Sequence, residues 1–477
     1  MLRQCFVVML SVSLVGAMPQ LVVAQSFENQ TPENQSPENQ SPENQSPENQ
    51  TPENQTPENQ TPENQTPENQ SPENQSPENQ TPENQSPENQ KSLETLFEEG
   101  KAAQAAGDYT QAESLWSQAI ELDPNNSIAY YNLGNALYNQ DKIDEAIAAY
   151  RETINIDPEY APGFYNLANA LYKIGELDEA IATYRQAIEQ EPNYAQAYNN
   201  LGNALRQTGE LEEAIATYRQ AIERDPNYAA AYYNLGNALY NRAQLEEAIA
   251  AYRQALELEA NNPAAYFNLG NTLYNLGRME EAIAAYQDGL KLEPNNPSAY
   301  YNLGNALRKQ GQLEEAIAAY RRTIEINPDL PQAYVGLGIA LRGQEEIIGA
   351  IEAYQTAIKL DPNQGLAYYH LGIAWTEKGE ISEAIAAYRK AIDINPNNSG
   401  AYGNLGVLLR QQRQLPEAEA AFRELVLIKP NFPQAYNDLG ETLQLQGKLS
   451  EAREYFERAL EIDPNFQAAQ RNLENLQ

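Results

Sequence analysis

Proline recurs at Pro124, Pro158, Pro192, Pro226, Pro294, Pro328, Pro362, Pro396, Pro430 and Pro464, on a 34-residue spacing broken only where Ala260 fills one slot. A period held this strictly marks a repeat array, in which each unit hides its apolar face against the next, rather than one globular core. With the proline set at position 32, eleven units follow: 93–126, 127–160, 161–194, 195–228, 229–262, 263–296, 297–330, 331–364, 365–398, 399–432 and 433–466. Inside them an aromatic recurs at position 4, Leu-Gly at 7 and 8, Ala at 20, an aromatic at 24 and usually Ala at 27. The second unit displays the set as Tyr130, Leu133, Gly134, Leu137, Ala146, Tyr150 and Pro158.

These residues resemble the tetratricopeptide (TPR) repeat, a helix-turn-helix unit of the same length. The resemblance implies an all-α, right-handed α-solenoid superhelix. Positions 4, 8 and 11 stand three to four apart and read as the buried stripe of a first helix. Gly134, Gly202, Gly236, Gly270 and Gly304 at position 8 each cost up to about 1 kcal/mol of helix propensity, which points to a second backbone packed closely there. Glycine at position 15 (Gly107, Gly175, Gly209, Gly277, Gly311, Gly379, Gly447) suits a left-handed residue that ends the first helix, with Asp141, Ala243, Glu345 and Arg413 as departures. The second helix buries positions 20 and 24 and stops at Pro-Asn-Asn or Pro-Asn-Tyr. An open array needs polar ends. Glu99 and Lys101 replace Leu and Asn in the first unit, and 467–477, with Phe466, Ala469, Leu473 and Leu476 on one face, reads as a C-terminal capping helix.

Upstream, residues 1–24 combine Arg3, an apolar run from Cys5 to Met18 and Val22-Val23-Ala24, the pattern of a signal peptide cleaved after Ala24. The run is short for a membrane span, and an uncleaved anchor is the alternative. The expected location is therefore exported, bacterial periplasm or extracellular. Cys5 falls in the signal, so the mature chain has no cysteine and must hold together by packing. Residues 25–90 repeat Ser/Thr-Pro-Glu-Asn-Gln twelve times after Ser26-Phe27-Glu28-Asn29-Gln30. With no apolar periodicity and one glutamate per five residues, this tract predicts a disordered, self-repelling spacer. Its Asn-Gln-Ser/Thr sites from Asn29 to Asn84 are poor glycosylation acceptors because proline follows each Ser or Thr.

Charge narrows the partners. The signal carries +1 and the spacer −13, leaving −24 of the total −36 in 91–477. Nucleic acid and anionic lipid both require clustered Lys and Arg, and there is no basic run. The mature chain is expected not to insert in membrane and to be monomeric or weakly self-associating, with proteins or peptides as partners. Catalysis has little to work with: His370 is the only histidine, read as a hydrogen-bonding residue at position 6, and no catalytic, cofactor or metal site is expected. Glu-Glu pairs at positions 18 and 19 suit the positive end of the second helix.

Opposite the buried stripe lie positions 2, 5, 9 and 12, flanked by 6 and 13, which in TPR proteins line the concave groove. Position 6 is Asn132, Asn166, Asn200, Asn234, Asn268 and Asn302; position 9 is Asn135, Asn169, Asn203, Asn237, Asn271 and Asn305. An amide both donates and accepts, so such a ladder can grip a peptide backbone without reading its sequence. Tyr131, Tyr165, Tyr233 and Tyr301 at position 5, and Tyr138, Tyr172, Tyr240 and Tyr274 at position 12, add amphipathic area. The ladder resembles the TPR arm of O-linked N-acetylglucosamine transferase, which holds extended polypeptide. The same amides also suit turn-to-turn hydrogen bonds. Val335, Ile339, Ile373 and Val407 predict a more apolar C-terminal stretch. Arg206, Arg308, Arg342 and Arg410 at position 12 are the groove cations, free for acidic partners or paired with neighbouring glutamates. The expected role is a non-enzymatic scaffold. Presentation of substrates to a separately encoded glycosyltransferase and a structural cell-envelope spacer stand as alternatives.

Overall fold

A computed structural model describes residues 91–476. The signal peptide, the Pro-Glu-Asn-Gln spacer and its Asn29–Asn84 sites lie outside the described residues. Those that are described form two compact segments, one ending at Pro158 and one beginning at Glu159. They hold twenty-three helices and no strand. The order is strictly alternating: a first helix of 13 or 14 residues such as Ala229–Asn241, then a second of 14 such as Leu245–Leu258.

The two helices of a pair are locked by one repeated contact. The aromatic at position 24 (Trp116, Tyr150, Tyr184, Tyr218, Tyr252, Tyr286, Tyr320, Tyr354, Tyr388, Phe422, Phe456) is buried in every pair. In every pair but the one with Ala168 it packs against the glycine at position 8: a Cβ on Gly236 would stand 2.6 Å from Tyr252 Cε1, and one on Gly372 2.6 Å from Tyr388 Cε1. This corrects the expectation of a second backbone at that glycine. A ring, not a chain, takes the space. Alanine at position 20, fully buried from Ala112 to Ala452, lets the second helix come close enough for that ring to seat.

The buried stripe also differs from the 4, 8, 11 reading. Position 4 is only partly covered in most pairs (Tyr130, Tyr232, Tyr266, Tyr300), whereas the small residues at 3 and 10, such as Ala231 and Ala238, are fully buried. A tyrosine at position 4 stays partly exposed while the alanines beside it make the close approach.

Between helices, position 15 takes the left-handed conformation whatever its side chain. Seven glycines do so with φ from 77° to 90°, and Asp141, Ala243, Glu345 and Arg413 follow at 58° to 64°. The turn geometry is imposed by the packed pair, and the non-glycine residues bear the strain. Where Pro-Asn-Asn, or Ala-Asn-Asn at 260–262, precedes a first helix, the second Asn is its N-cap: Asn126, Asn262, Asn296 and Asn398 accept from the amide of position 3 at 2.9–3.1 Å. Glutamates at position 19 bridge to the previous pair, as in Arg185–Glu213 (2.7 Å) and Arg219–Glu247 (2.8 Å), half-exposed pairs that each contribute little.

Within 159–476, each helix lies against its sequence neighbours, and first helices also touch the first helices of adjoining pairs. Gln467–Glu474 takes the place of one more first helix: Ala469 is buried, and Leu473 and Leu476 join the cluster of Leu439 and Leu443.

Candidate peptide-binding face

The amide ladder is engaged from beneath. In each of six pairs the hydroxyl of the buried tyrosine at position 24 donates to Oδ1 of the asparagine at position 9: Tyr150–Asn135 (2.8 Å), Tyr184–Asn169 (2.6 Å), Tyr218–Asn203 (2.8 Å), Tyr252–Asn237 (2.8 Å), Tyr286–Asn271 (2.8 Å) and Tyr320–Asn305 (2.7 Å). Burial raises the pKa of Tyr218, Tyr252, Tyr286 and Tyr320, strongly for Tyr286, so these four stay protonated and remain donors. The same oxygen takes a second bond from position 6 of the next pair: Asn200 Nδ2 to Asn169 (2.9 Å), Asn268 to Asn237 (2.9 Å), Asn302 to Asn271 (3.0 Å).

The two amides of the repeat therefore do different work. Position 6 is a strut between pairs; Asn234 is even buried, donating to Asn199 at 3.0 Å where asparagine replaces the usual tyrosine at position 5. Asn132 turns its Nδ2 back to the Ile128 carbonyl, and Asn166 and Asn200 are partly exposed. At position 9 the oxygen is engaged from within, by two donors in Asn169, Asn237 and Asn271 and by one in Asn203 and Asn305. For Asn169, Asn203, Asn237, Asn271 and Asn305 the Nδ2 group has no hydrogen-bond partner among the described residues, and these side chains are partly exposed. The face offers N–H donors in register, not the donor-and-acceptor pairs that the residue type alone suggests.

Tyrosines at position 5 support this row. Tyr131, Tyr165, Tyr233 and Tyr301 lean on the buried ring of their own pair with centroids 6.0–6.2 Å apart. Tyr165 and Tyr233 hydroxyls also accept from Asn200 (3.0 Å) and Asn268 (3.2 Å). At position 12, Tyr240 accepts from Asn275 (2.9 Å), and Lys309 lies 4.8 Å above Tyr274.

From residue 331 the pattern changes. Ile339 and Ile373 occupy position 9 and cannot accept a hydrogen bond. His370, expected to hydrogen-bond on the face, is instead buried, stacked on Tyr354 (5.9 Å, 18°) and tilted against Tyr369 (5.2 Å). The position-9 residue it would reach is Ile339, so the ring packs instead of bonding. Burial, with the Arg342 and Arg308 charges, pushes its pKa down to about 3. Val335 and Ile373 are also buried, leaving Ile339 and Val407 partly exposed, so only half of the expected apolar stretch faces outward. Arginines at position 12 here are paired: Arg342 with Glu377 (2.9 Å), Arg410 with Asp438 (3.1 Å) and Glu441 (3.0 Å). Asp438 is itself buried, which raises its pKa to about 6 against the pull of Arg410.

Sequence reasoning missed Tyr218, Tyr252 and Tyr286 as partners of the face. A regular 15-residue offset between Asn and Tyr was the signal available.

Tetratricopeptide repeat family models match residues 97–161, 165–229, 217–250, 236–277 and 270–311. A model of the C-terminal domain of cilia and flagella-associated protein 70 matches 293–477. No curated protein matches the chain. Among solved structures, YrrB, described as a TPR protein with an unusual peptide-binding site, is 30% identical, covering 39% of this chain and 95% of its own, with a TM-score of 0.37. MamA from Desulfovibrio magneticus RS-1 is 30% identical over 35% of this chain and 95% of its own, with a TM-score of 0.34. With the 34-residue helix pairs and their glycine–aromatic lock, the tetratricopeptide repeat models make the chain a member of the tetratricopeptide repeat family.

Proposed function

We propose that this chain is an exported, non-enzymatic scaffold that binds extended segments of partner proteins along the first-helix face. The observation that carries the reading is the in-register row of partly exposed Nδ2 donors at Asn169, Asn203, Asn237, Asn271 and Asn305, each amide fixed by a buried tyrosine. Donors held in place before the ligand arrives lose little entropy on binding and suit the carbonyl oxygens of an extended backbone. Tyrosines at position 5 supply rigid contact area beside them. Export rests on Arg3, the apolar run to Met18 and the Val22-Val23-Ala24 site.

Aspartate separates binding from folding. It retains the oxygen that Tyr218, Tyr252 and Tyr286 need, removes the N–H donors and adds one negative charge per site, so binding is compared at low and high salt to separate the lost donors from the added charge. The full chain and its Asn203→Asp/Asn237→Asp/Asn271→Asp variant are panned against a random 15-residue peptide library, with affinities read by fluorescence anisotropy. Peptides that bind the parent and lose at least about tenfold on the variant, at unchanged helicity, support the face as the binding site. Equal binding to both sinks it.

A further inference from the structure

Two position 12 arginines, Arg342 and Arg410, pair with carboxylates of the next first helix: Glu377 lies 35 residues beyond Arg342, and Asp438 and Glu441 lie 28 and 31 residues beyond Arg410. The positions at the same three offsets from Arg206 are Asn241, Asn234 and Asn237, all amides. Independently of ion pairing, the Nε of Arg206 is buried without a hydrogen-bond partner; separately, the side chain forms no ion pair among the described residues. This happens in a chain with 67 acidic against 31 basic residues, where even the exposed Arg185, Arg219 and Arg253 each find a glutamate in the following pair.

The surroundings of Arg206 are those of a recognition point. It lies one helical turn beyond Asn203 on the same face. Its guanidinium hydrogen-bonds the Tyr218 hydroxyl, and its charge acts on Tyr172, Tyr218 and Tyr252, working against the burial that raises these phenols. A partly desolvated guanidinium with no internal counter-ion, flanked by outward amide donors at Asn203 and Asn237, is complementary to a planar two-oxygen anion. The guanidinium's share of the desolvation is already met in the fold, so a ligand carboxylate has chiefly its own desolvation to offset.

We propose that Arg206 is a carboxylate-reading site within the peptide face, selecting extended segments that place an Asp or Glu side chain against its guanidinium between the Asn203 and Asn237 amides. This rests on the peptide-binding reading above and adds to it a fixed chemical preference: the backbone is gripped by the amides, and register is set by one acid.

The test uses the full chain, the Arg206→Gln and Arg206→Lys variants, and 15-residue peptides from the random library synthesised with free and with amidated C-termini. The expected result is an acidic residue enriched at one place among peptides recovered on the parent. Its replacement by Gln weakens anisotropy-measured binding roughly 10- to 100-fold on the parent, and less than about twofold on Arg206→Gln. Arg206→Lys keeps part of the preference, which separates lost charge from a damaged fold. If the free C-terminus supplies the carboxylate, amidation rather than Glu→Gln abolishes binding to the parent alone; the site still reads a carboxylate, but the side-chain source is overturned. Peptides that depend on Asn203, Asn237 and Asn271 yet show no acidic preference, or bind Arg206→Gln as tightly, overturn this inference and leave the groove standing. Recovery of no peptide sensitive to the aspartate variant overturns both.

Discussion

Replacing Asn237 by Ala removes an oxygen on which two donors converge: Tyr252 Oη at 2.8 Å and Asn268 Nδ2 at 2.9 Å. The two losses are unequal. Asn268 keeps its bond to the Tyr233 hydroxyl (3.2 Å) and is partly exposed, so water offsets most of its share. Tyr252 is buried, and its hydroxyl is left without a partner. A net hydrogen bond is worth about 1 kcal/mol and an orphaned buried hydroxyl costs about 1–3 kcal/mol, while Ala returns some helix propensity, giving a net loss of roughly 2 kcal/mol. Asn237→Asp keeps both bonds and should cost under about 0.5 kcal/mol at neutral pH. Because repeat arrays open locally, the assay is native-state hydrogen exchange. Amides of 229–292 should lose protection in the Ala variant by a factor of roughly 30, with those near 449–462 unchanged. A loss that is as large for Asp, or absent for Ala, refutes the claim that the oxygen is a structural acceptor.

Ala243 holds φ at 58° at a turn where other pairs place glycine, so Ala243→Gly should stabilise by about 0.5–1 kcal/mol, read as a higher urea midpoint. Asn296 caps the helix beginning at Pro297 through the Ala299 amide (2.9 Å), and Asn296→Ala should cost about 1 kcal/mol in the same assay. His370 has a folded pKa near 3 against 6.5 unfolded, so the unfolded chain binds the proton first and stability falls as pH drops from 6.5 toward 3. Between pH 7 and 5 this removes about 2 kcal/mol, a loss that His370→Asn should abolish; parallel pH profiles for the two proteins would exclude His370 as the cause.

The repeat, its helix pairs and the left-handed turn at position 15 were legible because each rests on local chemistry: periodicity, proline and glycine. What stayed hidden depends on how one helix meets another. Gly236 announces a close approach, but only the packed pair reveals that the visitor is the Tyr252 ring, sixteen residues on. The Asn ladder could be read on its face, but not the direction of its amides, since Tyr218, Tyr252 and Tyr286 reach it from behind. His370 looked like a ladder member by position, and its burial follows from Ile339 on a different helix.

Ile373 tests whether the ladder is a grammar that can be restored. Two offsets define a rung: the tyrosine 15 residues after position 9 donates to it, and the asparagine 31 residues after it donates as well. From Ile373 those offsets fall on Tyr388 and Asn404. Tyr388 now makes only a 3.3 Å contact with Thr376 Oγ1, and Asn404 Nδ2 is buried without a partner. An Ile→Asn change at a fully buried site ordinarily costs well over 3 kcal/mol, because an amide is buried and an aliphatic side chain lost. At 373 two new bonds and relief of the orphaned Asn404 offset about 2–3 kcal/mol of that. Ile373→Asn should therefore cost no more than about 1–2 kcal/mol. In an Asn404→Ala background the same change should cost about 2 kcal/mol more, a coupling measurable by a double-mutant cycle in urea. Additive costs would mean that the rung is set by backbone positions along the array and not by the side chains alone.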